Sequence, residues 1–218
     1  TSAAGKVALV SALLCITTIV QAQKGPLKDS GKIVNKTLEY TNIDKVELAD
    51  LDGKVEIEIG KPFYVSVAVD DNLESLLNVS EKNGELRIEL TGNLNNRMYI
   101  EETGINIKIS MPEISVLKHR GNGNLYVTGI TGRYFRIKNS GNGNAFLKGS
   151  VDELDINCSG NGTVKAEELL AKSIKINKSG NGNVYVNADN PFTANGSGNG
   201  DIINKGTGKA DAGSHISG

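Results

Sequence analysis

The chain has no tryptophan, and aromatic residues make up only 5% of its 218 positions. That is too little aromatic volume for a broad globular core, and with 26 glycines it fits a thin stacked architecture better. Cysteine is almost missing. Cys15 lies in a leader-like stretch and Cys158 is left alone, so no intramolecular disulfide is expected. Histidine is as scarce: His119 and His215 stand in unrelated contexts with no ligand spacing, so no metal site is expected. Neither sign of charge dominates, with 24 basic against 25 acidic residues, which argues against a nucleic-acid or anionic-membrane partner. The one long apolar run, Val7 to Val20, is too short to cross a bilayer. Lys6 precedes it and Val20-Gln21-Ala22 follows as a small-residue cleavage site. Residues 1–22 therefore read as a secretory signal peptide, and the mature chain is expected in the periplasm or at the cell surface, without a transmembrane segment.

What the chain has in abundance is one short string. Gly-Asn-Gly occurs at residues 121–123, 141–143, 160–162, 180–182 and 198–200, so successive first glycines are 20, 19, 20 and 18 residues apart. A fixed period near 20 without a helical pattern marks stacked β structure. The flanks agree. With the first glycine as position zero, the residues four before are Leu117, Ile137, Ile156, Ile176 and Ala194, and those four after are Leu125, Ala145, Val164, Val184 and Ile202. Polar residues alternate with them, as strands with one buried face require. Each repeat thus reads as strand, Gly-Asn-Gly corner, strand and a connection back. The fold class expected is all-β: a single-chain parallel β-helix or solenoid with three short strands per turn. Glycine and asparagine suit a corner that needs positive φ.

Stacking at one strand spacing would align Asn122, Asn142, Asn161, Asn181 and Asn199 as a structural ladder of amides. A second column has a functional flavour. Tyr126, Phe146, Lys165, Tyr185 and Ile203 stand five after the first glycine, between buried positions, and so point outward. An exposed apolar stripe of this kind can bind a glycan or a partner chain. Cross-rung packing is the competing explanation of the same residues. Catalysis is poorly served. Glycoside hydrolysis needs two carboxylates about 5–9.5 Å apart, and the repeat columns offer one acid each. Asp152, Glu153, Asp155, Glu167 and Glu168 cluster in connections, where solvated loop charges are the plainer reading. Gly-Asn-Gly does not extend into a dinucleotide fingerprint, and the calcium β-roll repeat is a nonapeptide with aspartate, so no cofactor is expected. Cys158 shares its position with His119, Asn139, Lys178 and Gly196, and reads as a tolerated substitution beside the turn.

Before the repeats, residues 23–42 form a polar lead-in broken by Gly25, Pro26 and Gly31. Val46 to Ile59, with Asp52-Gly53 at its centre, resembles a degenerate rung. Asp70 to Leu77 is a candidate helical turn capped by Asp71 or Asn72. Asn83-Gly84 signals a hairpin, and Asn93 to Asn96 a loop. Pro112-Glu113-Ile114 leads into the first full rung without a linker. The Val55–Ile59 and Tyr64–Val67 strands, Gly84-Glu85-Leu86-Arg87-Ile88, Ile107–Pro112 and the serial Ser-Gly-Asn-Gly rungs together resemble the head GIN domain family of auto-transporter adhesins, abundant in Bacteroidetes. The resemblance covers residues 43–218, with rungs from about 113, and implies an exported β-helical protein. It implies little chemistry. No outer-membrane barrel segment accompanies it, so the chain is not expected to be a whole autotransporter. Three functions stay open: adhesin-like binding without catalysis, a polysaccharide-active enzyme using the clustered acids, and a structural protein that self-associates end to end or edge to edge.

Overall fold

The computed structural model describes residues 27–28, 30–91, 100–101, 104–211 and 215–216. The signal peptide, the loop expected at Asn93 to Asn96 and part of the Gly-rich C-terminal turn lie outside the described residues. In chain order the strands are β1 (Leu27–Lys28), β2 (Ile33–Leu38), β3 (Lys45–Ala49), β4 (Gly53–Ile59), β5 (Tyr64–Asp70), β6 (Leu77–Lys82), β7 (Glu85–Leu90), β8 (Ile100–Glu101) and β9 (Ile105–Met111). They continue as β10 (Val116–Arg120), β11 (Asn124–Asn139), β12 (Ala145–Cys158), β13 (Val164–Lys178), β14 (Val184–Val186), β15 (Thr193–Gly196), β16 (Ile202–Asn204) and β17 (His215–Ile216). Fifteen of these form one curled open sheet. The chain is all-β. The only helical element among the described residues is a 3-10 turn, Glu74–Leu76, and Leu73 precedes it without a side-chain cap, so neither Asp71 nor Asn72 plays the capping part expected of it.

The repeats stack in parallel, each on the next. On one side of the corner Leu117 pairs with Ile137, Ile137 with Ile156, Ile156 with Ile176 and Ile176 with Ala194. On the other side Leu125 pairs with Ala145, Ala145 with Val164, Val164 with Val184 and Val184 with Ile202. All of these but Ile202 are buried, so the apolar alternation in the sequence is the core of the stack. The connections differ from expectation. Residues between corners are not outer loops between short strands; β11, β12 and β13 run unbroken for 16, 14 and 15 residues. The register shifts between Val127 and Ile130 where β11 pairs with β12, and between Phe146 and Lys148 where β12 pairs with β13, as at a β-bulge. Val151, Leu154 and Leu169 keep the intervening stretch apolar on its inner side, which is why it stays in the sheet.

The corner glycines serve a purpose other than the one their sequence suggests. Among them only Gly198 has positive φ. A Cβ built on Gly141 would run into the Gly121 carbonyl oxygen, and one on Gly160 into that of Gly141. Successive corners sit directly on one another, with Gly143 N–H donating to Gly121 at 3.0 Å and Gly162 N–H to Gly141 at 3.1 Å. Hydrogen removes the clash that any side chain would cause; backbone handedness is not the reason.

The segment before residue 113 contributes two further rungs. Val46 pairs with Leu117 and Val55 with Leu125, so residues 46–59 are the rung before the first Gly-Asn-Gly. Beneath it, Leu86 pairs with Val46 and Ile107 with Val55, making a split rung from β7 and β9. This edge is then covered by antiparallel strands: β6 on β7, β5 on β9 and β2 on β5. The β6–β7 hairpin turns at Asn83 and Gly84, with φ of 54° and 75°, the left-handed pair that an Asn-Gly hairpin needs.

Candidate functional site

Three asparagine columns run along the outside of the stack. At the corner apex Asn142 Nδ2 donates to Asn122 Oδ1 at 2.9 Å, Asn161 to Asn142 at 2.9 Å and Asn181 to Asn161 at 3.0 Å. Asn199 occupies the same place in the last corner. Two residues further on, Asn144 donates to Asn124 at 3.2 Å, and the Thr163 amide donates to Asn144 at 3.0 Å. Before the corner, Asn177 donates to Asn157 at 3.4 Å and Asn195 to Asn177 at 3.5 Å. An amide carries donors and acceptors at once, so it can link to the rung below and the rung above.

The outward column after the corner runs from Lys108 through Glu56, Tyr126, Phe146, Lys165, Tyr185 and Ile203. The Tyr126 and Phe146 rings are stacked, 4.8 Å between centroids and 5° between planes. Lys54 Nζ lies 5.4 Å from the Tyr126 centroid and Lys165 Nζ 5.2 Å from that of Phe146. The order along the stack is therefore ammonium, ring, ring, ammonium. Each of the two rings has one face against its neighbour and the other under a lysine, a favourable electrostatic arrangement. Their edges remain half-exposed. Beside Phe146 is a cleft of about 270 Å³, lined also by Lys148, Glu167 and Glu168. Lys205 lies over Tyr185 at 5.8 Å and repeats the pattern one step on.

The acids considered for catalysis are dispersed and mostly engaged. Asp155 is nearly buried; Arg136 Nε and Nη2 donate to its Oδ2 at 2.9 and 2.7 Å, and Asn157 donates to its Oδ1 at 2.8 Å. Asp152 pairs with Lys172 at 2.7 Å, Glu153 with Arg133 at 3.9 Å and Glu168 with Lys148 at 3.0 Å. Glu167 differs, with a buried Oε2 that has no hydrogen-bond partner among the described residues.

Sequence reasoning missed the column two before the first glycine. It points inward, under the corners, and it is polar: His119, Asn139 and Lys178 are at most 4% exposed, and Cys158 is buried with them. Each serves a turn. His119 Nδ1 donates to Asn139 Oδ1 at 2.8 Å, while Asn139 Nδ2 donates to the Gly143 carbonyl at 3.2 Å. The Cys158 thiol reaches the Gly162 carbonyl at 3.5 Å, and Lys178 Nζ donates to the carbonyls of Gly180 at 2.7 Å and Ser197 at 3.4 Å. Corners turn carbonyl oxygens toward the interior, where a lost hydrogen bond is expensive. The signal was present as four polar residues in one column, all of them able to donate. Burial pushes the Cys158 thiol up, which makes it a poor nucleophile.

Residues 42–208 match the family model described as putative auto-transporter adhesin, head GIN domain. The chain belongs to this family. Among solved structures, the head GIN domain here is similar to one from Bacteroides fragilis named a putative adhesin, at 18% identity, 84% of this chain, 97% of that chain and a TM-score of 0.62. It is also similar to one from Parabacteroides distasonis named a putative lipid binding protein, at 21% identity, 88% of this chain, 96% of that chain and a TM-score of 0.52. At such identities the likeness is one of fold. No curated protein matches the chain. No helix among the described residues of this head GIN domain is long and apolar enough to cross a membrane.

Proposed function

We propose that this head GIN domain is a non-catalytic recognition module of the cell envelope. It is exported after cleavage at Ala22, which a mature N-terminus at Gln23 would verify, and it binds a glycan or a surface protein through Tyr126, Phe146, Lys165 and Tyr185. The observation that carries this reading is the lysine–aromatic column itself. It sets ring edges and ammonium groups in a row on the outer face, beside a cleft. Because ring faces are occupied, contact falls to ring edges and ammonium groups. Such a surface suits hydroxyl, carbonyl or carboxylate groups on the partner. The repeats are read as one continuous solenoid, so that the column is rigid and its members are spaced by about one strand distance, ~4.8 Å.

The test is a glycan array and a surface-protein pull-down with the mature protein, run beside a Tyr126→Ala/Phe146→Ala/Tyr185→Ala variant. Binding that disappears in a variant of unchanged fold supports the column. Equal binding by both proteins removes it from the site. Anionic and neutral lipid vesicles form a further arm, since one relative is named a lipid binding protein. A polysaccharide-active reading keeps one favourable observation: Glu167 and Glu168 both line the cleft beside Phe146. Release of sugars from polysaccharide, lost in Glu167→Gln, would establish it and overturn the non-catalytic reading.

A further inference from the structure

A groove of about 720 Å³ lies elsewhere, on the outer face just before the corners. One wall is the column three before the first glycine: Lys118, Lys138, Asn157, Asn177 and Asn195. The other is the column one before it: Arg120, Ser140, Ser159, Ser179 and Ser197. The floor is the backbone of the buried column, whose side chains point to the other face of the sheet. The groove therefore follows the stack for five rungs, or ~19 Å at the usual strand spacing.

Its chemistry is one-sided. Three basic side chains, Lys118, Arg120 and Lys138, line it and no carboxylate does, in a chain whose charges otherwise nearly balance. Lys118 and Arg120, at one end, are shared with Glu47 and Glu85 of the neighbouring strands. Lys138 is exposed. Lys178 takes no part, since its ammonium is turned inward onto the Gly180 and Ser197 carbonyls. Beyond the basic end the walls are amide and hydroxyl. Asn157 donates one N–H to Asp155 and accepts from Asn177, and Asn177 donates one N–H to Asn157 and accepts from Asn195. An amide has two of each, so a second set is left for a ligand.

We infer that this groove binds an extended acidic polysaccharide, a uronate-bearing glycan strand laid along the stack, with carboxylates toward Lys138 and the basic end at Lys118 and Arg120, and sugar hydroxyls on the Asn and Ser columns. The inference rests on the recognition reading above and gives it a second surface and a ligand class. Extended pyranose chains advance per sugar by a length close to one rung, so equivalent groups recur where equivalent sugars fall. A nucleic acid fits less well, since no aromatic side chain lines the groove to stack on bases. An acyl chain would desolvate amides and hydroxyls without bonding to them.

The test uses the whole mature chain titrated with polygalacturonate, beside a neutral glucan of similar length, an oligonucleotide and an anionic vesicle. Wild type should bind polygalacturonate in a salt-weakened manner and the others far less. Lys138→Glu should weaken it about tenfold, ~1.4 kcal/mol. Lys138→Arg should keep it. Ser159→Glu places a carboxylate midway along an exposed wall and should weaken it as much; melting curves show that each variant folds. No binding of polygalacturonate, unchanged affinity in both charge variants, or equal binding of the oligonucleotide or vesicle would overturn the groove. If polygalacturonate fails while another glycan or surface protein is bound and then lost in the aromatic variant, the groove falls and the recognition reading stands. If nothing on the array or in the pull-down binds, both fall.

Discussion

His119 sits beneath the first Gly-Asn-Gly corner with its ring out of water. The Asn139 amide donates an N–H to the Gly143 carbonyl, so its oxygen faces the ring and Nδ1 carries the proton. Burial holds the His119 pKa below its ordinary 6.5, and the Asn139 hydrogen bond offsets only part of this. With the folded value depressed, the unfolded chain takes up a proton first as pH falls below about 6.5. Stability is thus full above that pH and is lost downward, until the folded ring also titrates. A His119→Asn variant, which copies the residue one rung above, should show a shallower fall in melting temperature between neutral and mildly acid pH. Parallel curves for the two proteins would show that His119 does not titrate differently on folding.

At the scale of one element, the corner ladder makes a similar demand. Asn161 donates to Asn142 and accepts from Asn181, so Asn161→Leu removes two links from an exposed column. At roughly 0.5–1 kcal/mol each in water, the loss should lower the melting temperature by a few degrees. Lys175→Ala, on the same outer surface, should change it far less, as surface substitutions usually do. Equal shifts would mean that the amides stack without holding the rungs. Much at this scale was legible in the sequence, because periodicity is local: the inward columns at Leu117 and Leu125, the corner asparagines and the Asn83-Gly84 hairpin follow from neighbouring residues alone. The close approach of Gly141 to Gly121 was not legible, because the same glycine would satisfy a left-handed turn. The lysine caps over Tyr126 and Phe146 escaped notice as well, since Lys54 reaches its ring from a strand 72 positions away in sequence. The split rung of β7 and β9 was hidden for the same reason. Its pairing with β3 and β4 runs against chain order, and no sequence period marks it.

For the whole molecule, a stack in which each rung touches only its neighbours should tolerate the loss of an entire rung. Its stability is then close to a sum of rung and interface terms. Deleting residues 142–160 joins Gly141 to Asn161 and removes one period of 19 residues. Asn161 then takes the place of Asn142 over Asn122, Val164 falls on Leu125, and Ile176 falls on Ile137. The inward polar column becomes His119, Asn139 and Lys178, with the Lys178 bonds to its own corner kept. Such a protein should keep its β circular dichroism and a single cooperative transition at a lower temperature. Deleting only residues 142–151 removes a corner with part of a strand and leaves the next apolar set half a rung out of place. Buried leucines and isoleucines would then face no partner, and that chain should not fold. Folding of the first deletion and failure of the second would establish the continuous solenoid. If both fail alike, the sheet depends on contacts that skip rungs, and the nearest-neighbour picture of this head GIN domain is wrong.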